Sequence, residues 1–168
     1  MSEKIENNKN IKEKINKIIS IILVIIWMII VFWFSAQVGD DSSNISGNTL
    51  RKIITFINNN ISQEELENLV EISQPVIRKL AHYTIYTIGG FLIYNQQKQY
   101  NNTKKNKIIN STLIGIVYAI TDEIHQLFVP GRSGKILDVG IDSLGVITGI
   151  IIYQILEKII NYVKTRRK

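Results

Sequence analysis

The sequence predicts an all-α, polytopic membrane protein: four transmembrane helices, with short amphipathic helices in the first outer loop. Three observations carry this. The 168 residues suit one domain, and their hydrophobic share of 45% is ordinary but gathered into long blocks. Residues 18–39, 80–97 and 108–121 contain no charged side chain, and the charged 20% falls mainly between such blocks. The net charge of +6 comes from lysines and arginines that flank the apolar spans, which fits a membrane surface better than nucleic acid. No nucleic-acid partner is expected. Cysteine is absent, which excludes disulfides and thiolate ligation without placing the compartment.

A bilayer core about 30 Å thick requires roughly 20 helical residues. Residues 1–17 form a basic tail with Lys4, Lys9, Lys12, Lys14 and Lys17. The first span, 18–37, is long enough alone and carries Trp27, Phe32, Trp33 and Phe34 toward its far end. A basic head before an apolar run also fits a signal peptide. No cleavage pattern follows it, and the later spans favour an uncleaved anchor.

The outer loop, 38–73, repeats apolar residues at helical spacing twice: Leu50, Ile53, Ile54 and Ile57, then Leu66, Leu69 and Val70. Two short amphipathic surface helices are expected, with a partly ordered linker as the alternative. Ser73-Gln74-Pro75 reads as a helix start leading into the second span, 80–97. The third span, 108–129, reaches sufficient length only if the helix runs on past Asp122 and Glu123 to Ile124, Leu127, Phe128 and Val129. Pro130-Gly131 breaks the chain before the fourth span, 136–156. Residues 157–168 are a second basic tail. The four-helix membrane domain is therefore 18–156.

Basic residues set the orientation. Lys98, Lys104, Lys105 and Lys107 lie between spans two and three, and Lys158, Lys164, Arg166, Arg167 and Lys168 close the chain. With the amino-terminal lysines they put both termini in the cytoplasm of a multi-pass protein. The polar residues of the spans then collect at one depth, in the outer leaflet. The first helix leaves with Ser35 and Gln37, and the second enters with Arg78, Lys79, His82 and Tyr86. The third brings Asp122, Glu123 and Gln126, the loop supplies Arg132, and the fourth brings Asp138 and Asp142. By helical rise, Asp142 lies about 9 Å below Ile136.

An acidic group at mid-bilayer costs roughly 2.5–3.5 kcal/mol, so these groups should face inward. Asp138 and Asp142, His82 and Tyr86, and Asp122 and Gln126 are each four apart and share a face. Gly145 and Gly149 continue the aspartate face as a small-xxx-small strip suited to close helix packing. Arg78, Lys79 and Arg132 are the partners available to the carboxylates.

Several chemistries fit this layer. Glu123 or Asp142 as base, assisted by His82 or His125, would suit hydrolysis or group transfer. Ser35, Ser42, Ser43 and Ser133 sit in no nucleophile-elbow pattern. His125 with Asp122 and Glu123 offers metal donors, but two histidines without tight spacing leave no metal and no cofactor expected. An ionic cluster that only holds helices together is the structural alternative. Transport is disfavoured by few spans and no inverted repeat.

The stretches FWFSAQVGDDSS, RKLAHYTIYTIGGFL and YAITDEIHQLFVPGRSGKILDVGIDSLGVITG resemble the VanZ-like family of bacterial membrane proteins, from Phe32 to about Gly149. The last is the most specific, with Asp-Glu-x-x-Gln, Pro-Gly-Arg and Asp-x-x-x-Asp in order. The family pattern falls on Ser35, Gln37, Lys79, His82, Tyr86, Asp122, Glu123, Gln126, Arg132, Asp138, Asp142 and Gly145, and is compatible with His125. The resemblance implies an integral protein of the bacterial cell membrane. The founding member is associated with low-level resistance to the glycopeptide teicoplanin and little effect on vancomycin. The expected partners are the bilayer and a lipid headgroup, envelope precursor or glycopeptide. Oligomeric state is not specified.

Overall fold

The computed structural model describes residues 2–166, with the side chains of residues 2–5, 9 and 39–43 outside the description; Lys4, Lys9, Ser42 and Ser43 therefore lie outside it, as do Arg167 and Lys168. Five helices account for the fold, with no strand among the described residues: α1 (Ser2–Ser35), α2 (Gly39–Ile57), α3 (Gln63–Gln97), α4 (Lys104–Gln126) and α5 (Ile136–Arg166). Helix α3 is central and packs against all four others, most extensively against α5.

Local chemistry sets the helix ends. At α3, the Ser62 hydroxyl accepts the Glu65 N–H at 3.3 Å, and the Glu65 carboxylate accepts the Ser62 N–H at 3.4 Å, a capping box. At α4, Thr103 Oγ1 accepts the Asn106 N–H at 3.2 Å. Past Gln126, short-range bonds from Leu127, Phe128 and Val129 to the carbonyls three residues back replace the α pattern.

These ends correct three expectations. The second outer-loop helix is not separate: Leu66, Leu69 and Val70 belong to α3, which runs unbroken through Pro75. Pro75 lacks an N–H and so leaves one carbonyl of the preceding turn without its donor, but the capped turns before it hold the helix together. Helix α4 stops at Gln126 rather than Val129, because the chain must tighten into the Pro130-Gly131 turn. Helix α5 continues through the basic tail to Arg166.

Two apolar clusters organise the interior. Trp27 and Val31 of α1, Tyr86, Ile93 and Tyr94 of α3, Ala119 of α4, and Val146 and Ile150 of α5 form the main one. Leu50 of α2 with Leu66 and Val70 of α3 forms the second, so α2 docks on the amino-terminal half of α3. Glycine makes the tight α3–α5 crossing possible. A Cβ on Gly145 would come within 2.6 Å of the Tyr83 carbonyl oxygen, and one on Gly149 would strike that of Thr87. The small-residue strip read from the sequence thus does what its spacing predicts.

The distribution of polarity is inverted relative to a soluble bundle. Ile22, Ile29, Phe32 and Trp33 of α1, Leu113, Val117 and Ile124 of α4, and Leu144 and Ile151 of α5 are exposed, whereas Ser35, Ser111, Asp122 and Asp142 are buried. So much exposed apolar surface calls for a nonaqueous neighbour. The buried hydroxyls of Ser20 and Ser111 are satisfied along their own helices, donating to Lys17 O at 2.8 Å and Lys107 O at 2.7 Å, whereas Ser35 Oγ has no hydrogen-bond partner. Two helices, α1 over Glu6–Ser35 and α5, are long and apolar enough to cross a membrane by themselves.

Candidate functional site

The polar residues meet at the end of the bundle where α1 finishes, α4 turns into α5, and α3 emerges from beneath α2. A cavity of about 130 Å³ opens there, lined by Arg78, Lys79 and His82 of α3, Gln126 of α4, Arg132 and Ser133 of the loop, and Asp138 and Asp142 of α5. Its acidic lining is Asp138 and Asp142, and Asp142 is 0% exposed. Asp122, 4% exposed, and Glu123, 5% exposed, are buried without lining it. Its mouth is basic, with Arg78 and Lys79 exposed.

The turn between α4 and α5 places the loop residues. Pro130 and Gly131 occupy its central positions, Gly131 has φ 73°, and the Arg132 N–H donates to Val129 O at 3.1 Å. That is the pattern of a type II turn, whose third position requires glycine. The Arg132 guanidinium then reaches α1, where Nε donates to Gln37 O and Nη2 to Phe34 O, each at 3.0 Å. Glu123 fixes the other end of the loop, accepting the Lys135 N–H on Oε2 at 2.8 Å.

The expectation that Arg78, Lys79 and Arg132 neutralise the carboxylates is therefore corrected. Among the described residues no ion pair joins them to Asp122, Glu123, Asp138 or Asp142. Arg132 is drawn instead to two carbonyls at and just past the end of α1, of which Phe34 O otherwise accepts only the Gln37 N–H, at 3.4 Å. The acids face one another and His82, whose Nδ1 lies 3.6 Å from Asp142 Oδ1. Asp122 Oδ2 accepts from Tyr86 Oη at 3.3 Å and Gln126 Nε2 at 3.4 Å. Both oxygens of Asp142, Oδ1 of Asp122, Oε1 of Glu123 and Oδ1 of Asp138 have no hydrogen-bond partner.

Tyr86 is held by Trp27, whose ring meets it edge-on at 5.6 Å while its Nε1 donates to Ile85 O at 2.8 Å. His125 stands apart from the acids' inner face and lies over the Phe32 ring at 4.4 Å. The metal-competent group is thus His82, Asp122 and Asp142 rather than His125, Asp122 and Glu123, because residue 125 turns toward α1 while 122 and 126 turn inward.

Beside the polar cavity lies an apolar cleft of about 330 Å³, walled by Val31 and Phe34 of α1, Ile45 and Thr49 of α2, and Ile77, Ala81 and Ile85 of α3. Ser35 and Gln37 line this cleft and not the cavity, whereas Arg78, His82 and Arg132 border both. Sequence reasoning missed the contribution of α2, since Ile45 and Thr49 carry no recognisable motif. It also missed the Lys135 N–H, because a backbone donor leaves no signal in residue type.

Every one of these site residues falls within residues 20–157, which match the model of the VanZ/LLP1 family. The chain belongs to the VanZ/LLP1 family. Neither a curated protein nor a solved structure matches it. The family assignment, the two apolar helices and the inverted polarity identify this VanZ-like chain as a membrane protein.

Proposed function

We propose that this VanZ-like protein spans the bacterial cell membrane four times, through α1, α3, α4 and α5, with both termini cytoplasmic. In this reading the polar cavity opens at the outer leaflet and binds the anionic, phosphate-bearing head of an envelope lipid. One observation carries the reading: a basic-mouthed polar cavity and an apolar cleft share Arg78, His82 and Arg132 as their common border. A phosphate would meet the free guanidinium of Arg78 and the ammonium of Lys79, while an acyl or prenyl chain lies along Phe34, Ile77 and Ile85. The α2 helix roofs the cleft and would separate the chain from water. Teicoplanin tolerance, where it occurs, would follow from capture of the acyl-bearing drug or its lipid-anchored target at this site.

The test is lipid recovery with protein purified in mild detergent. Charge-assisted hydrogen bonds contribute about 1.5–3 kcal/mol each, so Arg78→Gln with Lys79→Gln should lower copurified phospholipid roughly tenfold or more. Equal recovery from the folded double variant would defeat the proposal. In a sensitive Gram-positive host, the same variant should also lose any teicoplanin protection conferred by the wild type.

A second reading, group transfer at the same cavity, draws on the pairing of buried Asp142 with the part-exposed His82. It requires turnover that Asp142→Asn abolishes without loss of lipid binding.

A further inference from the structure

We propose that His82, Asp122 and Asp142 form a binding site for one divalent first-row transition-metal ion at the floor of the polar cavity. Helices α3, α4 and α5 each contribute one donor, and the three donor atoms lie within 4.8 Å of one another. Donors held about 2.0–2.2 Å from a shared ion stand roughly 3–4 Å apart, so closure requires only small side-chain rotations.

An independent observation points to a ligand. Asp142 is fully buried, yet neither of its oxygens accepts a hydrogen bond. Buried carboxylate oxygens without a donor are costly, and a cation between the two would satisfy them. The fixed cations do not fill that role: Arg132 is committed to Phe34 and Gln37, Arg78 and Lys79 remain at the mouth, and Lys135, which also lines the cavity, makes no ion pair with these acids among the described residues. His82 Nδ1, 3.6 Å from Asp142 Oδ1, stands beyond hydrogen-bond reach and is itself one of the three donors.

Asp122 is arranged as a ligand would be. Tyr86 Oη and Gln126 Nε2 both donate to Oδ2, which orients the carboxylate and leaves Oδ1 without a partner. Outer hydrogen bonds of this kind characterise metal-binding carboxylates. One imidazole with two carboxylates suits Mn²⁺ or Zn²⁺ better than Mg²⁺ or Ca²⁺, which prefer oxygen donors alone. Three protein ligands leave coordination positions open toward the cavity. A phosphate oxygen could take one, but the ion's binding does not depend on the lipid reading.

The experiment uses full-length protein in detergent, with no polyhistidine tag, stripped with chelator and titrated with Mn²⁺, Zn²⁺ or Mg²⁺ alone. Bound metal is read by elemental analysis and Mn²⁺ spin resonance. About one equivalent of Mn²⁺ or Zn²⁺ per chain is expected, with Mg²⁺ a poor competitor. Asp142→Asn and His82→Gln should each weaken binding at least tenfold, Tyr86→Phe should weaken it by about tenfold, and His125→Gln should leave it unchanged. Circular dichroism and monodispersity establish that each variant is folded. Failure of the wild type to bind would overturn the site, as would binding that survives both ligand substitutions. Either result is independent of phospholipid recovery from the Arg78 and Lys79 variant.

Discussion

The Arg132 guanidinium donates to the Phe34 carbonyl at 3.0 Å across 98 positions of sequence, fastening the α4–α5 turn to the end of α1. Its second bond, to Gln37 O, makes the contact a fork that an ammonium cannot reproduce. Arg132→Lys keeps the charge and loses this geometry. It should lower stability by about 1.5–3 kcal/mol, read as a drop in thermal midpoint in detergent. An unchanged midpoint would mean that the fork does not hold α1 in place.

The glycines of α5 offer a comparison within one helix. A methyl at Gly149 would strike the Thr87 carbonyl, whereas one at Gly140 has nothing within 4 Å. Gly149→Ala should destabilise by about 1–3 kcal/mol through forced separation of α3 and α5. Gly140→Ala should be neutral or stabilising by up to about 1 kcal/mol, since alanine favours helix. Equal thermal shifts in both variants would remove close packing as the reason for the strip.

Trp27 separates a hydrogen bond from ring packing. Trp27→Phe keeps an aromatic ring against Tyr86 but loses the bond to Ile85 O, and should cost about 1 kcal/mol. Trp27→Ala empties the centre of the core and should cost about 3–5 kcal/mol. Thermal unfolding of the two variants side by side checks the order.

Helix α2 is docked on the amino-terminal half of α3 by an ion pair. Arg51 Nε and Nη2 donate to the two oxygens of Glu67 at 2.9 and 2.7 Å. The hydrogen bonds from Arg51 hold the Glu67 carboxyl below its usual range. Its contribution to docking is therefore present above the ordinary glutamate pKa and lost as pH falls through the lowered folded value. Amide protection in α2, taken as the intrinsic exchange rate at each pH divided by the observed one, should fall in acid in the wild type. In Glu67→Gln that protection should be low and unchanged by acid, and matching protection profiles would contradict the pairing.

The helical class, the α3–α5 glycine contact and the gathering of His82, Asp122, Glu123, Asp138 and Asp142 were all legible in the sequence. Apolar blocks and four-residue spacings depend on helical geometry alone, and that geometry was realised. Pro75 misled because proline also fits a helix start, while the real start, Ser62 with Glu65, lay in view as a capping pattern eleven residues before Ser73. His125 and His82 are equivalent by composition. Only the rotation of α4, which turns residue 125 onto Phe32, chooses between them. The partner of Arg132 was invisible, because backbone carbonyls at a helix end have no residue-type signature.

The absence of native cysteine permits a direct test of where the cavity opens. Ser133 lines the cavity mouth, and Thr165 is exposed near the far end of α5. Single Ser133→Cys and Thr165→Cys variants would be treated in intact cells with a membrane-impermeant maleimide. With the cavity at the outer face, Ser133→Cys labels in intact cells and Thr165→Cys labels only after lysis. The reverse pattern, or equal labelling of both in intact cells, would contradict an outward-facing site.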